Sequence, residues 1–290
     1  MADLRFTKMH GIGNDYVYID TWEQNEPAIG WVECAKRVSD RRFGIGGDGM
    51  ILIERGLSKG AHGRMRMFNA DGSESEMCGN GLRCVARYLH DHRYKGQEAL
   101  QLDTGAGCLA VKIVERDRQG EAQKIQINMG LPILKGADIP CTGASEGQVG
   151  TVTVEGYRME YTAISMGNPH CVIFVDNVET FPVHQIGPQI ENNLKLFPRR
   201  VNVEFVQVIS RKEVRQRTWE RGSGETLACG TGASAVGVAS QLRGHTDGDI
   251  INHLAGGDLR IQWQGLGSPV IMTGGACYVG SGVIHPSLLI

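Results

Sequence analysis

Apolar residues along this chain fall mainly into short runs that alternate with polar residues, which is the pattern of half-buried β-strands. In the first part of the chain these runs cover residues 6–10, 16–20, 50–54, 64–69, 100–104, 108–115 and 124–129. Further along they cover residues 203–209, 214–220 and 276–280. The sequence also contains 40 glycines, which suit the frequent turns between short strands. The pattern therefore predicts a strand-rich protein.

Three stretches have helical periodicity instead. Residues 27–42 place apolar side chains at helical spacing, and Gly44 is expected to end that helix. Residues 79–92 carry apolar side chains at i, i+3, i+4 and i+7, which predicts a helix with one apolar stripe. Residues 232–239 are small or apolar on every side, so we expect this helix to be buried inside a ring of strands.

A short cysteine motif occurs twice. Residues 77–81 read MCGNG and residues 228–232 read ACGTG, so Cys78 and Cys229 are 229 − 78 = 151 positions apart. In each copy a strand leads through a polar turn to the cysteine, which then stands at the start of a predicted helix. The motif therefore indicates a duplicated structural unit.

Residues outside the motif repeat at nearly the same distance. The offset of the cysteines also aligns Phe68 with Trp219, and a Gly-Asn pair ending at Asn14 recurs at Asn168 with an offset of 154. We predict an α/β fold of the α+β type, with two pseudo-symmetric, barrel-like halves, each strand-rich and wrapped on a central helix. Residues 132–150, which contain prolines and several glycines, are expected to cross between the halves.

Length and charge exclude several classes of protein. A chain of 290 residues with 41% hydrophobic residues is long enough for two domains of about 140 residues each. The formal net charge of −2 gives no electrostatic reason to expect binding to nucleic acid or to a membrane surface. Since the sequence has no apolar signal segment and no run of membrane-spanning length, we expect a cytoplasmic protein.

The eight cysteines of such a chain are expected to be free thiols. The sequence has no Cys-x-x-Cys pair and no histidine pair at zinc-ligand spacing, so no metal site is predicted. The glycine-rich residues 44–49 follow a helix and precede a strand, so they are interpreted as a turn and not as a dinucleotide loop. Six cysteines are expected to be small buried hydrophobic residues: Cys34, Cys84, Cys108, Cys141, Cys171 and Cys277.

Cys78 and Cys229 have a different chemical setting. A thiol at a helix N-terminus is expected to have its pKa lowered from about 8.5, because the helix dipole and the N–H groups favour the thiolate. The same N–H groups form a site for an anion, and adjacent glycines let a carboxylate approach the backbone. If the two helix ends hold one carboxylate at an interface between the halves, the neighbouring carbon lies between the two thiols.

This arrangement suits inversion of a stereocentre without a cofactor. One thiolate removes the α-proton from one face, and the other thiol returns a proton to the opposite face. N–H donors aimed at the carboxylate stabilise the charge that develops there. Two other classes remain open on these residues: a single-cysteine nucleophilic hydrolase or transferase, and a non-enzymatic binder of dicarboxylates.

Seven segments, spread in order over most of the chain, together resemble the diaminopimelate epimerase family: residues 8–15, 43–48, 68–73, 77–84, 165–171, 200–202 and 220–232. The resemblance implies interconversion of L,L- and meso-diaminopimelate, without pyridoxal phosphate, for lysine and peptidoglycan synthesis. It implies Cys78 and Cys229 as the acid–base pair. The residues implied to bind substrate are Asn14, Asn69, Gly79, Asn80, Asn168, Asn202, Glu220, Arg221, Gly230 and Thr231. His170 and Glu220 are implied to tune the thiols.

The resemblance also implies an architecture and a rival. Residues 1–130, joined by 277–290, would form the N-terminal half, residues 131–276 would form the C-terminal half, and the active site would lie at their interface. A homodimer and a small-molecule partner are implied, with no nucleic acid and no membrane. The nearest rival is a proline or hydroxyproline racemase, whose substrate lacks a second carboxylate. From the residues alone, Asn14 and Asn168 are equally typical of turns, Arg221 of a surface and His170 of a structural histidine.

Overall fold

The structure is a computed structural model that describes residues 4–136, 138–143 and 149–290. It begins with the elements β1 (Leu4–Gly11), β2 (Asn14–Asp20), α1 (Gly30–Ser39), β3 (Gly49–Glu54), β4 (Gly63–Asn69), β5 (Glu74–Ser75), α2 (Gly79–His92), β6 (Ala99–Thr104), β7 (Gly107–Arg116) and β8 (Ala122–Asn128). It continues with β9 (Val149–Val154), β10 (Tyr157–Ser165), β11 (Pro169–Phe174), α3 (Val183–Glu191), β12 (Asn202–Ser210), β13 (Glu213–Glu220), β14 (Gly224–Thr226), α4 (Gly230–Leu242), β15 (Asp249–Leu254), β16 (Gly257–Trp263), β17 (Val270–Gly275) and β18 (Cys277–Ile284). A short 3₁₀ helix, Pro286–Leu289, follows β18. The fold is therefore mixed α/β and rich in strands, as predicted.

The chain divides into two compact units. The first comprises Met1–Ile127 together with Gly274–Ile290, and the second comprises Asn128–Thr273. Both boundaries lie just before those predicted at residues 130 and 276. The predicted crossing at residues 132–150 includes residues 137 and 144–148, which lie outside the described residues.

The first unit contains one continuous ladder of strands and the helices α1 and α2. Its ladder runs β18, β1, β2, β3, β4, β6, β7 and β8, with the short β5 paired to β4. The pairs β2–β3 and β4–β6 are parallel, and the other pairs are antiparallel. Helix α2 packs against β1, β2, β4, β6 and β7, and Leu82, Val85 and Leu89 of its apolar stripe are fully buried. It is the helix that the periodicity of residues 79–92 predicts, and its bounds are as predicted.

The second unit repeats this order. Its ladder runs β9, β10, β11, β12, β13, β15 and β16, and the pairs β11–β12 and β13–β15 are parallel. Helix α4 packs against β10, β11, β12, β15 and β16. Its small residues, such as Gly237, allow this burial: a Cβ atom there would lie 2.5 Å from the side chain of Ile261. Four of the five strands against each helix are equivalent in the two ladders: β1, β2, β6 and β7 for α2, and β10, β11, β15 and β16 for α4.

The registers of the two ladders can be compared residue by residue. Phe68 of β4 and Trp219 of β13 are the aligned aromatic residues. Met67, just before Phe68, pairs with Ile51 on β3 in the first unit. Thr218, just before Trp219, pairs with Glu204 on β12 in the second. Ile51 and Glu204 are therefore equivalent positions, one apolar and one acidic.

Helix α1 is shorter at both ends than the predicted span of 27–42. It begins at Gly30, whose φ of +78° departs from helical backbone. It ends before Asp40, because the carboxylate of Asp40 accepts hydrogen bonds from the N–H groups of Arg42 and Phe43 at 2.7 and 2.8 Å. These bonds stabilise a turn in place of a further helical turn.

Other elements were not predicted at all. Helix α3 was missed because Pro188 and Gly187 lie inside it, and both residue types oppose a helical interpretation. Strands β9, β10, β15, β16 and β17 were also missed. The expectation that six cysteines are buried is wrong for Cys108 and Cys277, which are exposed on β7 and β18. In the part of the chain that is described, no helix combines the length and apolar character needed to cross a membrane.

Candidate active site

Cys78 caps the central helix of the first unit. Its backbone is extended, with φ −139° and ψ 116°, and its sulfur accepts a hydrogen bond from the N–H of Gly81 at 3.4 Å. Gly79 is the first residue of the helix and is buried. The short strand β5 and the glycines that follow the cysteine allow this sharp entry into α2. The thiol is therefore fixed at the helix N-terminus, as the motif predicts.

Two predicted asparagines lie beside Cys78. Asn14 Oδ1 accepts hydrogen bonds from Cys78 Sγ at 3.5 Å and from Asn80 Nδ2 at 3.3 Å. Asn14 Nδ2 donates to Asp48 Oδ2 at 2.7 Å, which fixes the orientation of the amide. Tyr16, which the sequence argument did not single out, has its hydroxyl 3.9 Å from Cys78 Sγ. The first unit thus brings Asn14, Asn80 and Cys78 into one cluster.

A buried arginine holds this cluster from behind. Arg83 has no exposed surface and donates from its guanidinium to Asn80 Oδ1 at 2.8 Å and to the carbonyl of Gly275 at 3.0 Å. Burial lowers the pKa of Arg83 from its ordinary value.

Asn69 ends strand β4, and its Nδ2 donates to Ser73 Oγ at 2.9 Å. This contact orients Asn69 within its own turn.

Cys229 repeats the cap in the second unit. Its backbone angles are φ −122° and ψ 112°, and its sulfur accepts a hydrogen bond from the N–H of Gly232 at 3.3 Å. Thr231 Oγ1 lies 3.5 Å from the same sulfur, and Gly230 is the first residue of α4. The two cysteine caps are therefore alike in backbone and in the N–H that each sulfur receives.

The surroundings of Cys229 are acidic. Burial raises the pKa of the Cys229 thiol well above its ordinary value, and the negative charges of Glu220 and Glu204 raise it further. Hydrogen bonds from Thr231 and from the N–H of Gly232 lower it, but by less. The expectation of a lowered pKa at this helix N-terminus is therefore wrong for Cys229, because burial outweighs the N–H contacts.

Glu220 is the predicted acidic residue beside this thiol. Burial raises the pKa of Glu220 above its ordinary value, and the charge of Glu204 adds to the rise. Hydrogen bonds from Thr226 and from Cys229 act in the opposite direction. The distance from Thr226 Oγ1 to Glu220 Oε1 is 2.5 Å. Glu220 therefore contacts the thiol that it was predicted to tune.

A hydrogen-bonded chain leads from His170 back to Cys229. The ring of His170 is fully buried, with Nδ1 2.7 Å from Glu204 Oε1 and Nε2 3.0 Å from Asn168 Oδ1. Asn168 Nδ2 donates to Thr231 Oγ1 at 3.3 Å, and that hydroxyl lies next to the Cys229 sulfur. These contacts join four of the predicted residues, His170, Asn168, Thr231 and Cys229, and include Glu204, which no sequence motif indicated.

Asn202 and Arg221 lie on the next part of the same unit. Asn202 Nδ2 donates to the carbonyl of Pro169 at 3.0 Å, and its Oδ1 accepts from the N–H of Arg221 at 2.9 Å. The guanidinium of Arg221 donates to the carbonyl of Arg199 at 3.0 Å and its side chain is exposed. Asn202 therefore fixes the backbone from which Arg221 extends.

Among the described residues, no group of three or more His, Cys, Asp or Glu side chains is arranged to hold a metal ion. The eight cysteines are all free thiols. Each unit therefore offers the same local chemistry, one capped thiol beside neutral amides. The second unit adds the buried carboxylate of Glu204 and the half-buried carboxylate of Glu220.

Known proteins resemble this chain over nearly its whole length. A family model described as diaminopimelate epimerase matches residues 6–135 and 162–279. The diaminopimelate epimerase of Leptospira biflexa is 48% identical over 284 residues, which cover 97% of this chain and 99% of the relative. That of Acetivibrio thermocellus is 46% identical over 284 residues, with coverage of 97% and 98%.

Solved structures with low identity share the fold. A hydroxyproline epimerase from Agrobacterium vitis superposes with a TM-score of 0.69 at 15% identity, covering 97% of this chain and 92% of that one. A PhzF-family protein from Bacillus anthracis superposes with a TM-score of 0.69 at 16% identity, covering 98% and 100%. At these identities the likeness concerns the fold alone.

Proposed function

This chain belongs to the diaminopimelate epimerase family, and we propose that it interconverts L,L- and meso-diaminopimelate by a two-base mechanism that needs no cofactor. Membership makes it an amino-acid epimerase of lysine biosynthesis. The observation that supports the mechanism is the pair of cysteine caps. Each sulfur stands at the N-terminus of a central helix and receives the N–H of the third residue that follows it.

In the proposed reaction one cysteine thiolate takes the α-hydrogen as a proton, and the electron pair of the C–H bond stays on carbon. The thiol of the other cysteine then delivers its proton to the opposite face, which leaves that sulfur as a thiolate. The roles of Cys78 and Cys229 exchange when the reaction runs in reverse. No oxidant, reductant or metal is required for the balance.

The reacting carboxylate is assigned to the two helix N-termini. Gly79 and Asn80 begin α2, and Gly230 and Thr231 begin α4. Groups in the first turn of a helix favour negative charge through their N–H dipoles. As the α-proton leaves, charge builds on this carboxylate, so donors aimed at it stabilise the transition state more than the substrate.

The ammonium groups and the distal carboxylate are assigned to the remaining predicted residues. Glu220 offers an anion for an ammonium group, and Arg221 offers a fork-shaped donor for a carboxylate. Asn14, Asn69, Asn168 and Asn202 supply neutral amides. His170 acts through Asn168 and Thr231 on the Cys229 side, in keeping with their hydrogen-bonded chain.

We further infer barrel closure of each half, a site formed where the halves meet, a homodimer and a cytoplasmic location. Barrel closure is supported by the five strands that pack against α2 and the five that pack against α4. The other three rest on membership of the family.

Solvent isotope exchange tests the function. We expect wild-type protein in deuterated buffer to incorporate deuterium at the α-carbon of L,L-diaminopimelate and none into L-proline. Cys78→Ala and Cys229→Ala should each lower turnover by a factor of at least about 10² to 10⁴, the usual contribution of a positioned acid or base. The exposed thiols offer matched controls, and Cys108→Ala and Cys277→Ala should keep wild-type turnover.

Three results would contradict the proposal. Near-normal turnover in either Cys78→Ala or Cys229→Ala would remove the two-base mechanism. Exchange into L-proline and none into diaminopimelate would indicate the racemase. Binding of diaminopimelate without any exchange would indicate a dicarboxylate binder.

A further inference from the structure

The two cysteine sites differ at one position that the repeated fold makes directly comparable. In the first unit a Cβ atom built on Gly81 would lie 2.6 Å from Ile51 Cδ1. In the second unit a Cβ atom built on Gly232 would lie 2.6 Å from Glu204 Oε1. Each glycine is the residue whose N–H reaches the cysteine sulfur. Ile51 and Glu204 therefore fill the same place behind the two thiols, one with a methyl group and one with a carboxylate.

A second equivalent pair lies on the neighbouring strand. Tyr16 pairs with Gly49, the first residue of β3. His170 pairs with Asn202, the first residue of β12, so Tyr16 and His170 hold equivalent positions. The phenol of Tyr16 lies near its cysteine sulfur, whereas the ring of His170 contacts Glu204. The second unit thus replaces an isoleucine and a tyrosine by a hydrogen-bonded glutamate and histidine.

We propose that Glu204 is a positioning residue that makes the two thiols inequivalent: it orients His170 and keeps the proton on Cys229 in the substrate-free enzyme. Because a two-base epimerase needs one thiolate and one thiol, Cys78 is then the base that meets substrate first. This inference rests on the two-base function proposed above. In the substrate-free enzyme Cys78 is then the thiolate and Cys229 the thiol, although the backbone around the two cysteines is similar.

The charges around Cys229 support this assignment. Two carboxylates face it from neighbouring strands, Glu204 from β12 and Glu220 from β13, and His170 on β11 contacts the first of them. Glu204 has no exposed surface, and its Oε2 has no hydrogen-bond partner among the described residues. A buried negative charge opposes formation of a second one nearby, so the neutral thiol is the favoured form.

The first unit has no such charge in the corresponding place. The side chain of Ile51 is apolar and fully buried. The Cys78 cluster is also backed by the guanidinium of Arg83, whose positive charge favours a thiolate nearby. The carboxylate of Asp48 lies on the far side of the Asn14 amide, which it accepts from, while the Asn14 oxygen contacts Cys78. The repeated backbone therefore holds Cys229 against two carboxylates, and Cys78 near the Arg83 cation with Asp48 one amide away.

Glu204 also fixes the ring of His170. Its Oε1 lies 2.7 Å from Nδ1, and the other ring nitrogen lies 3.0 Å from Asn168 Oδ1. Asn168 in turn donates to Thr231, whose hydroxyl lies beside the Cys229 sulfur. Loss of the carboxylate should loosen this chain as well as remove the charge.

Alkylation of the enzyme without substrate provides the test. Short pulses of iodoacetamide at a series of pH values, read for each cysteine by peptide mass spectrometry, give the pH midpoint for Cys78 and for Cys229. The midpoint is the useful measure, because the rate also depends on exposure. In wild-type protein we expect the midpoint of Cys229 to lie above that of Cys78 by at least about one pH unit.

Variants then test Glu204 itself. Glu204→Gln keeps the shape and removes the charge, so the Cys229 midpoint should fall while the Cys78 midpoint stays. The alkaline limb of the kcat/KM profile, which reports the acid of the free enzyme, should move to lower pH by a similar amount. We expect kcat to fall about tenfold or more and KM to change less. Glu204→Asp should restore most of the wild-type midpoint, and the exposed Glu213→Gln should match wild type throughout.

The outcomes separate this inference from the function on which it rests. If the Cys229 midpoint is unchanged in folded Glu204→Gln, the role of Glu204 is overturned. That result is expected if His170 loses a positive charge when Glu204 loses its negative one. A wild-type midpoint that is higher for Cys78 than for Cys229 overturns the resting assignment, and this comparison needs no variant to fold. Retained turnover in the Cys78→Ala or Cys229→Ala protein would instead remove the two-base function, whatever the midpoints.

Discussion

Glu191 accepts a hydrogen bond from the indole Nε1 of Trp219 at 2.8 Å, and its second oxygen accepts from the N–H of Gly222 at 2.8 Å. Glu191 is the last residue of α3 and is only 3% exposed. The two bonds hold both sides of the segment that carries Glu220 and Arg221. Helix α3 therefore fixes the backbone of two residues that are assigned to the substrate.

We expect Glu191→Gln to raise KM for diaminopimelate about tenfold with a smaller loss of kcat. The amide has one acceptor oxygen in place of two, so one part-buried donor loses its partner, and the ion pair of Glu191 with Arg200 is lost as well. Together these losses should cost about 1–3 kcal/mol in the free energy of unfolding. Steady-state kinetics and urea unfolding measure the two effects. The exposed Glu179→Gln serves as control and should change neither. A variant with wild-type KM would show that α3 does not position this segment.

Arg83 connects the Cys78 cluster to the end of the chain. Replacement by Met removes the hydrogen bonds to the buried Asn80 Oδ1 and to the half-buried carbonyl of Gly275. Since hydrogen bonds to a charged group contribute about 1.5–3 kcal/mol each, we expect Arg83→Met to lose roughly 3 kcal/mol or more of stability. Urea unfolding measures the loss.

The exposed Arg260 offers a matched comparison, because its ion pair with Asp249 lies at the surface. Arg260→Met should lose no more than about 1 kcal/mol. Arg83→Lys should be nearly as damaging as Arg83→Met, since an ammonium group cannot reproduce the planar fork that reaches two acceptors. Equal stability of Arg83→Met and Arg260→Met would contradict this account.

Cys84 should make the protein sensitive to alkali. Burial raises the pKa of the Cys84 thiol to about 12, although the neighbouring phenol of Tyr18 and the charge of Arg83 lower it. The unfolded thiol titrates near 9, so the stability that Cys84 contributes is complete below pH 9 and is lost as pH rises towards 12. At pH 10.5 the loss should be about 2 kcal/mol, at about 1.4 kcal/mol for each pH unit.

The measurement compares wild-type protein with Cys84→Ala by urea unfolding at pH 8 and pH 10.5. Other groups also titrate in this range, and the difference between the two proteins removes their contribution. We expect the variant to be less stable at pH 8, because it leaves a cavity, and the gap to close by about 2 kcal/mol at pH 10.5. A gap that is the same at both pH values would exclude a neutral buried thiol at Cys84.

The sequence predicts those parts of the fold whose signals are local. Helix α2 is predicted with its observed bounds because a cysteine and two glycines precede a single apolar stripe. The ends of α1 are wrong because Asp40 caps a turn that no periodicity reveals. Helix α3 was missed because Pro188 opposes it, although packing against Trp219 offsets that preference.

The candidate site shows the same limit. The thiols and the asparagines stand in repeated motifs, so the sequence points to them directly. Glu204 lies between apolar residues of a predicted strand, and its role depends on which neighbours the strand meets. Only the pairing of β12 with β11 and β13 brings it to His170 and Gly232. The one signal in the sequence was an acidic residue at a position where the other half of the repeat has isoleucine.

Gly81 and Gly232 provide a comparison of the two halves within one protein. Both lie in the first turn of a helix, where alanine is intrinsically favoured over glycine by about 1 kcal/mol. A methyl group at Gly81 meets the flexible end of Ile51, whereas at Gly232 it would lie 2.6 Å from Glu204 Oε1 and 3.2 Å from Cys229 Sγ. We therefore expect Gly232→Ala to lower kcat about 100-fold, since small displacements of catalytic groups have effects of this size. Gly81→Ala should lower kcat by less than about tenfold. Steady-state kinetics on both variants, with unfolding curves to verify that each is folded, measure the difference. Equal losses in the two variants would mean that the carboxylate behind Cys229 imposes no tighter constraint than the methyl group behind Cys78.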